Sequence, residues 1–60
     1  MIVEFRNVKT NWYYQYKNAI SVVITNANEL ILRWIDLTKP DVNNVKIIPL
    51  KLIKELKITE

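Results

Sequence analysis

Apolar and polar residues alternate at the start of the chain. In residues 2–8, Val3 and Phe5 fall on one side of an extended backbone, while Glu4 and Arg6 fall on the other. An alternation with a period of two is typical of a strand that buries one face. The pattern therefore predicts a half-buried β-strand over residues 2–8.

The next two segments also favour strands. Residues 12–17 are dense in aromatic side chains, and residues 19–25 are β-branched at nearly every position. Both kinds of side chain pack well on a pleated surface and are enriched in strands. We therefore predict a second strand over residues 12–17 and a third over residues 19–25.

Asparagine marks the boundaries between these segments. The chain contains no glycine, so a turn that needs positive φ must use the next most tolerant residue, which is asparagine. The asparagines fall between the apolar stretches, at Asn7, Asn11, Asn18, Asn26, Asn28, Asn43 and Asn44. They divide the chain into short segments of strand length.

Residues 29–37 fit two structures. Asn26 and Glu29 have the spacing of a helix capping box, and Leu30, Ile31 and Trp34 lie along one helical stripe. A strand at the same place would pair with residues 19–25 through a short Asn-Ala-Asn loop and form a compact hairpin. We favour the hairpin. Residues 38–44 follow as a predicted turn, because proline cannot continue a strand ladder.

Residues 45–60 also fit two structures. Pro49 is compatible with the first turn of a helix that carries Leu52, Ile53 and Leu56 at helical spacing, and the lysines, leucines and glutamate of this stretch favour helix. Alternatively, residues 45–48 form a strand, residues 49–52 a tight turn, and residues 53–59 a last strand.

A resemblance to a known family favours the strands. The runs VVITNANELIL at residues 22–32 and IPLKLIKELKI at residues 48–58 resemble the strand pattern of bacterial pleckstrin-homology-like and GRAM-type domains. That resemblance implies a β-core. The chain has no room for the family's C-terminal helix and matches no ligand motif, so the family's lipid or peptide binding is not carried over.

Together these segments predict one domain over residues 1–60, mainly β, built as a small antiparallel meander or roll of five or six strands. The alternative is an α+β domain with a C-terminal helix on the sheet. A chain of 60 residues buries only about 60% of the surface of its unfolded form. The chain has no cysteine and therefore no disulfide. Oligomerisation or docking on another protein is then the remaining way to add to the stability of so small a domain.

The composition argues against catalysis. The chain has neither histidine nor cysteine, the commonest general base and the most reactive nucleophile. The same absence removes zinc sites built from these ligands, and a phosphate-binding loop would need glycines that the chain lacks. We therefore expect no enzymatic activity, no cofactor and no metal. No apolar run is long enough to span a bilayer and the start of the chain does not resemble a signal peptide, so we expect a cytoplasmic protein.

Nucleic-acid binding is the alternative function. Basic residues interleaved with aromatic ones can bind single strands by stacking and charge neutralisation. The candidates for this role are Arg6, Lys9, Trp12, Tyr13 and Lys17. However, the net charge of +3 is small for a protein of this class.

The fourth segment suggests a protein partner. In a strand, Leu30, Leu32 and Trp34 would face one way, while Ile31 and Ile35 would face the other. Apolar residues on both faces are more than so small a domain can cover by itself, and exposed apolar patches mark interaction sites. We predict a protein-binding module that associates with itself or another protein, such as a small bacterial or phage inhibitor or adaptor. Its predicted contact residues are Ile31, Arg33, Trp34 and Ile35.

Overall fold

The computed structural model describes residues 1–39 and 43–60, and within these ranges the chain is mainly β-structure. The strands are β1 (Ile2–Asn7), β2 (Tyr13–Tyr16), β3 (Ala19–Ile24), β4 (Glu29–Ile35), β5 (Asn43–Pro49) and β6 (Ile53–Thr59). One turn of 3₁₀ helix, Leu50–Leu52, lies between β5 and β6. The predicted fold class and the predicted number of strands are confirmed.

The strands form two antiparallel sheets of three strands each. The first sheet has the order β2-β1-β6 and the second has the order β3-β4-β5, so that β1 and β4 are the central strands. Backbone hydrogen bonds join the start of β1 to the start of β3, because Met1 and Ala19 each donate to the carbonyl of the other. The two sheets are therefore connected at one corner by main-chain contacts.

The core lies between the two central strands. Val3 and Phe5 of β1 and Leu30 and Leu32 of β4 are fully buried, and the sequence predicts that each of these two pairs lies on one side of its strand. Ala19 and Ile48 complete the buried set. Each central strand therefore directs one face into a small shared interior, and its other face points away from it.

The β3–β4 hairpin depends on a threonine and an asparagine. The Thr25 hydroxyl accepts hydrogen bonds from the amides of Ala27 and Glu29, at 3.2 and 3.3 Å. Asn28 adopts positive φ, at 58°, as does Asn11 before β2, at 61°. The hairpin is therefore confirmed over the helix for residues 29–37, and two asparagines hold the conformation that would ordinarily require glycine.

The last part of the chain is a strand and not a helix. β6 carries a bulge, because Lys54 pairs with Arg6 while Lys57 pairs with Glu4, so that two residues of β6 stand opposite Phe5. Glu55 lies in this bulge with φ at 55°. The left-handed region costs an L-residue with a Cβ about 1–2 kcal/mol. The pairing of β6 with β1 on both sides of the bulge therefore outweighs a local preference against this backbone shape.

Of the turn predicted for residues 38–44, residues 40–42 lie outside the described residues, and the prediction is wrong for Asn43 and Asn44, which already belong to β5. Just before them, the Asp36 carboxylate accepts hydrogen bonds from the amide and the hydroxyl of Thr38, at 2.9 and 2.7 Å. Within residues 1–39 and 43–60, no helix has the length and the apolar character that crossing a bilayer demands.

Candidate protein-binding face

The two faces of the second sheet differ in what covers them. Leu30 and Leu32 of β4 point into the core and are fully buried. The alternate positions Ile31, Arg33 and Ile35 therefore point away from the core, because successive side chains of a strand leave on opposite sides. None of these three is fully buried.

A row of aliphatic side chains crosses this outward side. Val23 of β3 and Ile47 of β5 both pair with Ile31 of β4, so the three side chains lie next to one another on one surface. Val23 is 52% exposed and Ile47 is 57% exposed. We call this surface the outer face of the second sheet. It consists of Ser21, Val23, Glu29, Ile31, Arg33, Ile35, Val45, Ile47 and Pro49.

The structure brings together three of the four predicted contact residues. Ile31, Arg33 and Ile35 lie on the outer face, whereas Trp34 lies on the opposite side of β4 and packs against Tyr16, with 4.8 Å between ring centroids. Leu37, just beyond the end of β4, is 73% exposed. Trp34 is therefore a neighbour of the outer face in sequence only.

Sequence reasoning missed the contributions of the flanking strands. Val23, Val45 and Ile47 belong to the outer face, and each is about half exposed. The register of the β3–β4 hairpin would have identified Val23, whereas Val45 and Ile47 depend on the pairing of β5 with β4. With a turn over residues 25–28, Val23 is placed directly opposite Ile31. The apolar surface is therefore wider than one strand.

The nucleic-acid candidates surround the first sheet but do not form a uniform basic patch. Lys9, Trp12 and Lys17 are exposed on the loops next to β2. The Arg6 guanidinium lies 5.5 Å from the centre of the Tyr13 ring and forms an ion pair with Glu55 at 3.1 Å. The carboxylate of Glu4 lies on the same side of the sheet. Phosphates approaching this surface would meet acidic as well as basic groups.

Glu4 and Tyr13 perturb each other on this surface. The hydrogen bond donated by the Tyr13 hydroxyl, followed by the one donated by the Gln15 amide, lowers the pKa of Glu4. The same bond to Glu4 raises the pKa of Tyr13. Both effects stabilise the charged carboxylate beside the protonated phenol.

The hydrogen bond from Tyr13 to Glu4 predicts that removing the Tyr13 hydroxyl changes the pKa of Glu4. In Tyr13→Phe we expect the pKa of Glu4 to rise toward its ordinary value, measured by an NMR titration of the Glu4 carboxyl. In the wild type, the lowered pKa of Glu4 stabilises the fold above the unfolded-state pKa, and this stabilisation is lost as pH falls through the folded-state pKa. The part of that acid dependence that comes from the Tyr13 hydrogen bond should disappear in Tyr13→Phe, while the part that comes from Gln15 should remain. Tyr14→Phe is the control and should leave Glu4 unchanged; equal titration curves in Tyr13→Phe and wild type would contradict the assignment.

Two further features of the described residues concern metal-ligating side chains and concave surface. Within residues 1–39 and 43–60, no three acidic side chains cluster closely enough to hold a metal ion. An open hollow of about 370 Å³ lies at the end of the β3–β4 hairpin. It is lined by Ala27, Asn28, Glu29, Pro49 and Lys51.

The outer face of the second sheet is thus the most distinctive surface of the described residues. It is extended, mainly aliphatic, and bordered by one acidic and one basic side chain of the same strand. The chain matches no protein-family model, no curated protein and no solved structure.

Proposed function

We propose that this chain is a non-catalytic protein-binding module that associates with itself through the outer face of the second sheet. The observation that carries the proposal is the row Val23–Ile31–Ile47, in which three aliphatic side chains lie together across three strands and two are more than half exposed. Contiguous apolar surface of this kind is usually covered by another protein surface.

The size of the core supports the same proposal. The inward faces of β1 and β4 already supply the fully buried residues, and the outer face lies on the far side of β4 from them. A domain of 60 residues has a small stability margin, and covering a second apolar face by association adds to that margin. A small inhibitor or adaptor would use such a face in the same way.

The nucleic-acid alternative has less support. Its central cation, Arg6, is engaged by Glu55 and by the Tyr13 ring, and Glu4 lies beside them. Charge neutralisation of phosphates requires cations that outnumber nearby anions.

A charge in the aliphatic row tests the proposal. We expect the wild type to associate reversibly as its concentration is raised from about 5 to 500 µM, the range for a small interface. Ile47→Lys should weaken this association about tenfold or more, because the introduced ammonium would lose its hydration when the two copies associate. Sedimentation velocity measures the association of the wild type and of the Ile47→Lys variant.

Ile24→Lys is the matched control. Ile24 and Ile47 are the same residue type, both lie in edge strands of the second sheet, and each is 57% exposed. Ile24 pairs with Leu30 and therefore points to the other side of the sheet. A wild type that stays monomeric throughout, or an Ile24→Lys variant that dissociates as much as Ile47→Lys, would overturn the proposal.

A further inference from the structure

The charges on the outer face are placed symmetrically about its aliphatic row. Glu29 and Arg33 stand on β4 two residues before and two residues after Ile31, and all three lie on the same side of the strand. Each charged residue is therefore about 6.8 Å along the strand from Ile31, in opposite directions. A two-fold rotation about an axis that passes through Ile31 perpendicular to β4 places Glu29 at the position of Arg33, and Arg33 at the position of Glu29.

We propose that a second copy of the chain packs on this face about a two-fold axis along the row Val23–Ile31–Ile47, so that Glu29 of each copy meets Arg33 of the other. The proposal rests on the proposed function and specifies its partner surface. The axis lies in the interface and runs perpendicular to the strands, so the two β4 strands are antiparallel. Ile31 of one copy then packs on Ile31 of the other.

The flanking strands obey the same symmetry. On β5, Pro49 pairs with Glu29 and Val45 pairs with Arg33, so the rotation places Pro49 of one copy on Val45 of the other. On the β3 side, Ser21 pairs with Arg33, and Thr25 donates its amide to the Glu29 carbonyl. The rotation brings Ser21 toward Thr25, which lies just beyond the end of β3 at the border of the outer face. Charged, apolar and hydroxyl side chains each meet a suitable partner.

The other in-plane two-fold axis, parallel to the strands, gives poor contacts. It would place Glu29 on Glu29 and Arg33 on Arg33, and would set Ser21 of β3 against Val45 of β5. Like charges facing each other across an interface are repulsive, and a hydroxyl against an aliphatic side chain loses its hydration without a new partner. The charge pattern therefore selects the antiparallel arrangement.

Both charged side chains are available for this contact. Within residues 1–39 and 43–60, neither Glu29 nor Arg33 takes part in an ion pair of its own chain. Glu29 is half-buried at the edge of the row and Arg33 is exposed. Each dimer would contain two identical Glu29–Arg33 pairs, one on either side of the axis.

The contact is small. Three strands of about seven residues, with roughly 4.8 Å between strands and 3.4 Å per residue, cover about 340 Å² on each copy. Interfaces at this lower end of the size range are transient, so we expect a dissociation constant on the order of tens of micromolar. Because the affinity is weak, the two ion pairs supply a large part of the free-energy difference between the antiparallel arrangement and the other two-fold arrangement.

Charge reversal on single chains, followed by mixing, tests the arrangement. Glu29→Arg turns both pairs into two facing arginines, and Arg33→Glu turns both into two facing glutamates, so each variant alone should associate about tenfold or more weakly than wild type. In an equimolar mixture, the heterodimer sets the introduced arginine of one chain against the introduced glutamate of the other, and its second pair is the native Glu29–Arg33. Both pairs are attractive again, and we expect its dissociation constant to return to within about threefold of the wild type. Analytical ultracentrifugation of the separate and mixed samples measures this.

Matched variants separate the local effect from net charge. Glu60→Arg changes the net charge as Glu29→Arg does, and Lys9→Glu changes it as Arg33→Glu does, but both sites are exposed and lie off the outer face. Each control variant should associate as the wild type does, and mixing the two should leave the dissociation constant of the dimer nearly unchanged. Amide NMR spectra establish that each variant is folded.

The outcomes distinguish this inference from the proposed function. If the wild type never associates, the proposed function itself fails. If the wild type associates and Ile47→Lys disrupts it, but the charge-reversed mixture does not recover, the outer face binds another copy in a different arrangement and the antiparallel two-fold is overturned. Recovery in the mixture supports it.

Discussion

Phe5→Ala is expected to remove a large part of the protein's free energy of unfolding at 25 °C. The Phe5 side chain is 2% exposed at the centre of the core, and its ring lies 5.3 Å from that of Tyr14 and 6.2 Å from that of Tyr16. Truncating a buried phenylalanine costs about 3–5 kcal/mol. A domain of 60 residues has a free energy of unfolding of roughly 3–9 kcal/mol in total. The loss is therefore comparable with the whole stability.

Urea denaturation followed by circular dichroism measures this change. Trp12→Ala is the control, because Trp12 is also a large aromatic residue but is 67% exposed before β2. We expect that variant to stay within about 0.5 kcal/mol of the wild type. A cooperative transition for Phe5→Ala at the wild-type urea midpoint would show that the core does not depend on this ring.

Trp34→Ala should separate stability from association. The ring packs on Tyr16 from the inner side of β4 and is half-buried, so we expect its removal to lower the free energy of unfolding by about 2–3 kcal/mol, below the range for a fully buried tryptophan. The outer face is on the other side of the strand. Among molecules that remain folded, the dissociation constant of the dimer should therefore change by no more than about threefold.

Urea denaturation and sedimentation velocity on the same sample provide the two measurements. Trp34→Phe retains an aromatic ring against Tyr16 and should recover about half of the lost stability or more. The contradicting result is a Trp34→Ala chain with wild-type stability that no longer associates. It would place Trp34 on the contact surface, as the sequence analysis predicted.

Several strands could be predicted from the sequence because each has a local signal. Alternation identified the buried pair Val3 and Phe5, and β-branched residues identified β3, whose range differs from the prediction by one residue. Asparagine at Asn11 and Asn28 also has the positive φ expected in a chain without glycine. These features are local, so a single sequence contains them.

The end of the chain was ambiguous for a structural reason. A strand without a bulge keeps its inward residues two positions apart. The bulge at Glu55 shifts the parity, so that Ile53 and Ile58 share one side of β6 although their numbers differ by an odd interval. Leu52, Ile53 and Leu56 therefore have helical spacing in the sequence, although the chain forms a strand from Ile53 onward. No local preference indicates the bulge, because glutamate is unfavourable at positive φ.

The candidate site was predicted in part. The two-sided apolar pattern of residues 30–35 was enough to place Ile31 and Ile35 on one surface. It could not supply Val23 and Ile47, which depend on the register of β3 and β5. The resemblance to pleckstrin-homology-like and GRAM-type domains, based on apolar spacing in half of the chain, stays a prediction.

The position of β3 at the border of its sheet has a consequence for handling the protein. β3 hydrogen-bonds to β4 along one side, and its sequence AISVVI contains no charge, no proline and no glycine. Short segments with this composition are typical nuclei of amyloid-like stacking. β6 also borders a sheet, but it carries Lys54 and Lys57, which discourage edge-to-edge growth. Fibril formation during concentration or storage should therefore start at β3, and a lysine at Ile20, an exposed residue of this strand, is the substitution that should suppress it.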